Sequence, residues 1–226
     1  MMKNILVCVA HSDDETLGCG GTIAKHVKKG DRVFCIYMTD GVSARTNKKI
    51  EIQKRKKAAA KASKILGFKW LDNLSGNFPD NAFDSVQLIE IIKVIEKAKK
   101  YVDPHIIYTH SFSDLNIDHR ILYQAVVTAF RPQPNEKWEE IITFEVPSAT
   151  DYGQINGFGT FKPNLFINIK KEWKKKMYAL KSYKSEIKKI PHTRSIAGIQ
   201  TLARLRGMQN GMYMAEAFQI VKKIKR

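Results

Sequence analysis

The strongest structural signal in the chain is the stretch Ile5-Leu6-Val7-Cys8-Val9-Ala10-His11-Ser12-Asp13-Asp14-Glu15. Its first half is a continuous apolar run, which is typical of a strand buried on both faces of a parallel sheet. An imidazole and three carboxylates follow within five positions. Neighbouring carboxylates repel one another and lose hydration on burial, so a cation or a dense hydrogen-bond network must compensate them. The stretch therefore predicts either a divalent metal site at a strand end or an acidic, self-capping helix N-terminus.

Strand-like and helix-like segments alternate along the first 150 residues. Gly30 and Gly67 follow predicted helices, where a left-handed C-terminal residue is favoured. Apolar strands separated by amphipathic helices predict an α/β fold, with a three-layer, Rossmann-like, mostly parallel sheet of order 3-2-1-4-5. The predicted strands are residues 4–10, 33–39, 70–71, 106–109 and 141–146.

The pattern of predicted elements changes after Pro147. A glycine-containing loop, a short strand, two helices and a last strand follow. A length of 226 residues favours one domain. We therefore expect a single domain over residues 1–226, with a Rossmann-like core (1–150) and a basic C-terminal α+β elaboration (151–226) packed on the sheet.

The net charge of +17 is concentrated at the C-terminal end. Residues 170–226 hold 16 Lys and Arg against three acids, a net +13, and the first 169 residues carry only +4. Aromatic residues are sparse among these lysines, so a solvated surface is favoured and no nucleic-acid partner is expected. Contact with an anionic membrane surface and binding of a phosphate-bearing substrate are the alternatives.

No apolar stretch reaches the length of a membrane span, and the N-terminal run is too short for a signal peptide. The three cysteines, an odd number, imply no disulfide framework. We expect a protein of the reducing cytoplasm.

A second cluster of metal-ligand residue types follows the predicted strand 106–109. In an open α/β sheet, ligands bind outside the carboxyl ends of strands, where the strand order reverses. With the order 3-2-1-4-5, both clusters open into one crevice, which favours the metal site over the capping alternative. Calcium is excluded because an EF-hand loop starting at Asp114 would place His119 at its glycine position. The second cluster consists of His110, Asp114, Asn116, Asp118 and His119.

Two short motifs, Ala10-His11-Ser12-Asp13-Asp14-Glu15 and Asp118-His119-Arg120, resemble the paired signature of the PIG-L, or LmbE-like, family of zinc-dependent N-deacetylases. That signature reads Ala-His-Pro-Asp-Asp-Glu, with a distal Asp-His-Arg motif. The likeness spans residues 3–132 and reappears at Ala215-Glu216-Ala217-Phe218.

The resemblance implies His11, Asp14 and His119 as ligands of zinc, with ferrous iron as the alternative ion. It implies Asp13 as the general base, although spacing alone does not say which of Asp13 and Asp14 binds the ion. Asn116 stands where many members carry a histidine that assists the oxyanion or acts as an acid. An asparagine can donate a hydrogen bond to an oxyanion but cannot deliver a proton.

Further residues are candidates for supporting roles. His110 and Asp114 are candidates for the missing acid, for substrate contact or for support of a ligand, and Asp118 is expected to support a ligand. Thr39, Asp40 and Arg55 match family positions and are predicted substrate contacts; a capped turn and a solvated helix face are their alternatives. Arg194 is a candidate for bidentate binding of a phosphate.

These predictions combine into a metal-dependent N-deacetylase that uses a metal-activated water and Asp13 as the base. The expected substrate is a small N-acetylated amino sugar on a nucleotide or lipid phosphate. Hydrolysis of another small N-acyl substrate is one alternative, and non-catalytic binding to polyanions or membrane surfaces is the other. A homo-oligomer is possible, and the sequence does not decide the oligomeric state.

Overall fold

The computed structural model describes residues 2–45, 49–153, 157 and 159–225. Its N-terminal part alternates strands and helices as far as the fifth strand, and a C-terminal part adds two strands and three helices. In chain order the elements are β1 Asn4–Val9, α1 Asp14–Lys28, β2 Arg32–Tyr37, α2 Lys49–Leu66, β3 Lys69–Trp70, α3 Leu88–Val102, β4 Ile106–His110, α4 Ile117–Ala129, β5 Glu140–Phe144, α5 Thr150–Gly153, β6 Leu165–Asn168, α6 Trp173–Leu180, α7 Ile196–Met208 and β7 Ala215–Lys223.

The strands form one sheet of order β3-β2-β1-β4-β5-β7-β6. The first five strands are parallel, which confirms the predicted mostly parallel sheet of order 3-2-1-4-5. The C-terminal segment packs α6 against α1 and α2. It also extends the edge of the sheet, which the sequence does not predict, because β7 pairs antiparallel with β5, and β6 pairs antiparallel with β7. That the whole chain is one domain stays a prediction.

Both faces of the sheet are covered, which explains the unbroken apolar run of β1. Ile5, Val7 and Val9 belong to the core on the side of α1, α2 and α6. Leu6 and Cys8 belong to the core on the opposite side, beneath α3 and α4. Neighbouring strands β1 and β4 end at the same edge, so the two polar clusters that follow them meet there. No helix within the described residues is long and apolar enough to cross a membrane.

Two glycines allow α1 to pack closely on the sheet and on the segment after β6. A Cβ at Gly18 would lie 2.2 Å from the Phe144 ring, and one at Gly21 would lie 2.7 Å from the Ile169 side chain. We expect Gly18→Ala to lower the free energy of unfolding by about 1–3 kcal/mol, because a packed core resists added volume. Urea unfolding measures this loss. Gly20→Ala is the matched control, since its Cβ would contact nothing closer than 3.4 Å; an equal loss there would contradict the packing explanation.

Candidate metal centre and active site

Three side chains converge where β1 and β4 end. His11 Nδ1 lies 3.2 Å from Asp14 Oδ2, His119 Nε2 lies 3.2 Å from the same oxygen, and the two imidazole nitrogens are 3.3 Å apart. An ion about 2.0–2.1 Å from tetrahedral N and O ligands separates them by about 3.3–3.4 Å. The spacing of the triangle therefore fits one divalent ion.

Local structure explains this convergence. His11 follows the end of β1, Asp14 begins α1, and His119 lies in the first turn of α4. Asp14 Oδ2 also accepts a hydrogen bond from the His11 N–H at 3.1 Å. Its other oxygen, Oδ1, is buried without a hydrogen-bond partner among the described residues. An unpartnered buried carboxylate oxygen calls for a further polar or cationic partner beside the triangle.

The ionisation of the triangle links ion binding to pH. Burial raises the pKa of Asp14, but His119 and His11 outweigh it and hold that pKa well below its ordinary range. Burial lowers the pKa of His119, yet Asp114 and Asp14 raise it to about 9. Because an imidazole must lose its proton to bind an ion, ion binding should release protons and weaken in acid.

Each histidine of the triangle has a carboxylate beside its other ring nitrogen. His119 Nδ1 lies 3.0 Å from Asp114 Oδ2, and that carboxylate accepts a hydrogen bond from the Thr150 hydroxyl at 2.8 Å. His11 Nε2 lies 3.3 Å from Asp118 Oδ2 and 3.2 Å from Asp80 Oδ1. Such carboxylate–histidine pairs fix the tautomer and orientation of a ligand.

His110 and Asp114 lie against His119, so support of this ligand is the role that their contacts favour, and their contact with a substrate stays a prediction. His110 is fully buried and stacks on His119 with ring centroids 3.7 Å apart. Its Nε2 accepts the Ala10 N–H at 3.0 Å, and burial holds its pKa well below the ordinary value. The Ala10 N–H thus occupies the Nε2 lone pair, and the role of His110 as the missing acid stays a prediction.

Asp13 lies at the N-cap position of α1 but makes no capping hydrogen bond within the described part of the chain. Its Oδ2 lies 3.2 Å from Arg55 Nη1 and 3.6 Å from Arg194 Nη1. Asp13 and Asp14 line the same cavity of about 360 Å³, together with His11. The carboxylate beside the triangle is thus held by guanidinium groups and faces the space where a substrate would lie.

Asn116 and Arg194 also line this cavity. The Asn116 side-chain oxygen accepts the Asp118 N–H at 2.9 Å and caps α4. That leaves its amide nitrogen as the donor that the side chain can offer to a substrate.

Thr39 and Asp40 follow the end of β2, and their contact with a substrate stays a prediction. Asp40 Oδ1 accepts the N–H groups of Val42 and Ser43, each at 2.8 Å, and thereby closes a turn. Thr39 is fully buried, and the described lining of the cavity includes neither residue. The capped-turn interpretation is the one that this structure favours.

Arg55 is buried, with 6% of its surface exposed, although it lies in a lysine-rich helix. It donates to the Ser12 and Gly41 carbonyls at 3.0 and 3.2 Å. Its Nη2 also lies 2.9 Å from Glu186 Oε1, a residue that sequence reasoning missed. The sequence signal that could have found Glu186 is the rarity of acids in the basic segment. Residues 170–226 contain only three acids, and all three are buried: Glu172, Glu186 and Glu216.

Glu186→Gln is expected to lower the free energy of unfolding at neutral pH, since three arginines would lose a partner. Burial raises the pKa of Glu186, but Arg55, Arg45 and Arg194 lower it below the ordinary 4.5. A carboxyl with a depressed pKa stabilises the fold above its unfolded pKa, and this contribution is lost as pH falls through the folded value. In urea unfolding, the difference in free energy of unfolding between the parent and the variant should therefore become smaller below about pH 4.5.

Glu51→Gln is the control for that experiment, because Glu51 forms an exposed pair with Lys54 at 2.7 Å. Its effect should be small at every pH. A gap for Glu186→Gln that stays constant on acidification would contradict the assigned ion pairs.

A larger, mostly apolar cavity of about 550 Å³ lies beside the metal cavity. Arg194 separates the two: it lines the metal cavity and donates from Nε to the Pro147 carbonyl at 3.0 Å. Pro147 lines the apolar cavity, as do Thr193 and Ser195 on either side of Arg194. The two cavities thus share a wall.

Comparison with known proteins gives a family, relatives and a fold. Residues 6–130 match the family model PIG-L, described as GlcNAc-PI de-N-acetylase. The uncharacterized deacetylase YaiS of Escherichia coli K12 is 32% identical over 189 residues, covering 81% of this chain and 91% of that protein. The diacetylchitobiose deacetylase of Thermococcus kodakarensis is 25% identical over 232 residues, covering 97% of this chain and 84% of that protein.

Among solved structures, the 4-carboxy-2-hydroxymuconate hydratase GalB from Pseudomonas putida KT2440 has a TM-score of 0.76 with 22% identity. The match covers 100% of this chain and 98% of the hydratase. At this identity the likeness shows a shared fold alone, so the reaction must be argued from the site.

Proposed function

This chain belongs to the PIG-L family, and from that premise we propose that it is a metal-dependent hydrolytic N-deacetylase of an N-acetylated amino sugar. The observation that carries the proposal is the triangle of His11, Asp14 and His119, with Asp13 beside it in one cavity. Two deacetylases among the relatives support the reaction class, and the diacetylchitobiose deacetylase supports a sugar substrate.

The donor set of two imidazoles and one carboxylate suits zinc, the ion that we propose. The same set with open positions also suits ferrous iron, which is the alternative. Elemental analysis of protein purified without oxygen distinguishes the two ions.

The residues divide the chemistry of amide hydrolysis between them. A divalent ion at the triangle would supply Lewis acidity, which acidifies water and polarises a carbonyl oxygen. Asp13 accepts the proton of the water that attacks the acetamide carbon, and it returns that proton to the amine as the C–N bond breaks. The Asn116 amide donates to the oxygen that gains negative charge. The products are acetate and a free amine.

We propose further that the amino sugar is carried on a lipid phosphate. Arg194 supports the phosphate, since its guanidinium lies in the metal cavity and can bind an anion in a bidentate manner. The apolar cavity across the Arg194 wall supports a lipid over a nucleotide, because an alkyl chain gains from burial there.

The test is release of acetate and primary amine by the metal-loaded protein from N-acetylglucosamine, its 1-phosphate, its uridine diphosphate ester and an alkyl phosphodiester. We expect amine and acetate in equal amounts, with the highest kcat/KM for the alkyl phosphodiester. Equal rates for all four compounds would contradict the carrier assignment. Absence of amine release from these and from other small N-acyl amines, with metal bound, would overturn the proposed function.

A further inference from the structure

Helix α1, whose first residue is the proposed ligand Asp14, is broken at Cys19. The backbone there has φ −136° and ψ 20°, which is outside the helical region. In an unbroken helix the Gly21 N–H would donate to the Leu17 carbonyl. Here the Gly21 N–H donates to Glu216 Oε1 at 2.8 Å, and the Leu17 carbonyl accepts from Lys176 Nζ, also at 2.8 Å.

Lys176 and Glu216 are themselves an ion pair, with Nζ 2.7 Å from Oε1. The ion pair therefore links the Leu17 carbonyl to the Gly21 N–H. In a continuous helix these two groups would hydrogen-bond to each other directly. Glu216 Oε2 also accepts the N–H and the hydroxyl of Thr22, at 2.7 and 2.6 Å. Its carboxylate thus caps the second part of α1, as an acid at a helix N-terminus does.

Both members of the pair are buried, at 3% and 5% exposure. Burial of two charges carries a desolvation cost that can exceed their attraction, so such a pair is weak evidence for stability. A broken helix also forgoes backbone hydrogen bonds. These costs are consistent with a role in setting the direction of the first part of α1.

The first part of α1 is connected to the metal triangle at both of its ends. At its N-terminus it carries Asp14. At its other end Gly18 is pressed against the Phe144 ring. That ring packs edge-to-face on His110, which stacks on the ligand His119. A change in the direction of this segment would therefore shift Asp14 relative to His119.

We propose that Lys176 and Glu216 are positioning residues of the metal centre: they hold the break in α1 and thereby fix Asp13 and Asp14 against the two histidines. The inference rests on the proposed metal centre and goes beyond its ligands. It also gives Ala215-Glu216-Ala217-Phe218 a physical role, since its glutamate completes the broken helix from β7.

The test replaces the pair by apolar residues of similar length, in the double variant Lys176→Met, Glu216→Met. Such replacements of buried pairs are often neutral for stability. Without the inserted charges, Gly21 can bond Leu17 directly and α1 can straighten. We expect a folded protein whose zinc affinity, measured by competition with a chelator, falls by about tenfold or more. The absorption spectrum of its cobalt-loaded form should change, since that spectrum reports ligand geometry.

Lys174→Met on the same helix is the matched control, because Lys174 is exposed; its zinc affinity and cobalt spectrum should equal those of the parent. A folded double variant with parental affinity and spectrum would overturn the proposal. Should the double variant not fold, Glu216→Gln decides, with zinc affinity measured on its folded fraction. A merely structural role predicts lower unfolding free energy with unchanged affinity. Neither readout depends on substrate turnover, so failure of the deacetylase assay leaves this test intact.

Discussion

Replacing Asp14 with alanine is expected to remove the bound metal and to lower kcat/KM for amide hydrolysis by more than about 10⁴-fold, because without the ion the pKa of water stays far above neutral pH. Asp14 Oδ2 is the atom that touches both histidine nitrogens, so no other residue of the triangle can replace it. Metal content by elemental analysis and amine release from an N-acetylated sugar measure the two effects.

Asp80→Asn is the informative comparison. His11, Asp80 and Asp118 form a second group of atoms close enough to hold an ion, and Asp80 Oδ1 lies 3.2 Å from His11 Nε2. If Asp80 only orients His11, as we assign, its replacement should lower metal affinity by about 10- to 100-fold and leave metal bound at saturation. Loss of metal from Asp80→Asn with retention in Asp14→Ala would move the centre to the group of His11, Asp80 and Asp118.

The core of the fold followed from the sequence because its signal is local. A buried parallel strand needs an unbroken apolar run, and residues 5–9 provide one. The extension of the sheet by β7 and β6 did not follow. Strand pairing across more than 70 residues, as between Phe144 and Phe218, has no local signature, and an edge strand looks the same whichever sheet it joins.

The residues of the candidate site also differ in whether the sequence predicts them. His11, Asp14 and His119 lie at strand ends or first helical turns, where topology brings them together. Asp80 and Glu186 lie in connecting segments without periodicity, so only the folded structure shows that they contact His11 and Arg55. The break at Cys19 was hidden because glycines at Gly18, Gly20 and Gly21 are equally consistent with close helix packing.

Asp13→Asn should lower kcat by about 10²- to 10⁴-fold while the metal stays bound, because an amide cannot accept a proton from water. Asp13 is not part of the triangle, and its Oδ2 is paired with Arg55 at 3.2 Å beside the cavity. Single-turnover amine release and metal analysis of the same preparation separate chemistry from metal loss. KM should change little, since the carboxylate acts on the attacking water.

Glu15→Gln is the matched control, an acid-to-amide change two positions away. Glu15 is buried outside the cavity and accepts hydroxyl hydrogen bonds from Thr16 and Tyr183, which a glutamine oxygen can also accept. Burial raises the pKa of Glu15 to about 8, so its carboxyl carries a proton at neutral pH. The uncharged amide of glutamine resembles this protonated side chain. Activity of Glu15→Gln within a few-fold of the parent, with Asp13→Asn inactive and metal-loaded, identifies the base by position. If Asp13→Asn turns over at the parental rate, another group must accept the proton, and Asp13 is then left only its ion pairs with Arg55 and Arg194.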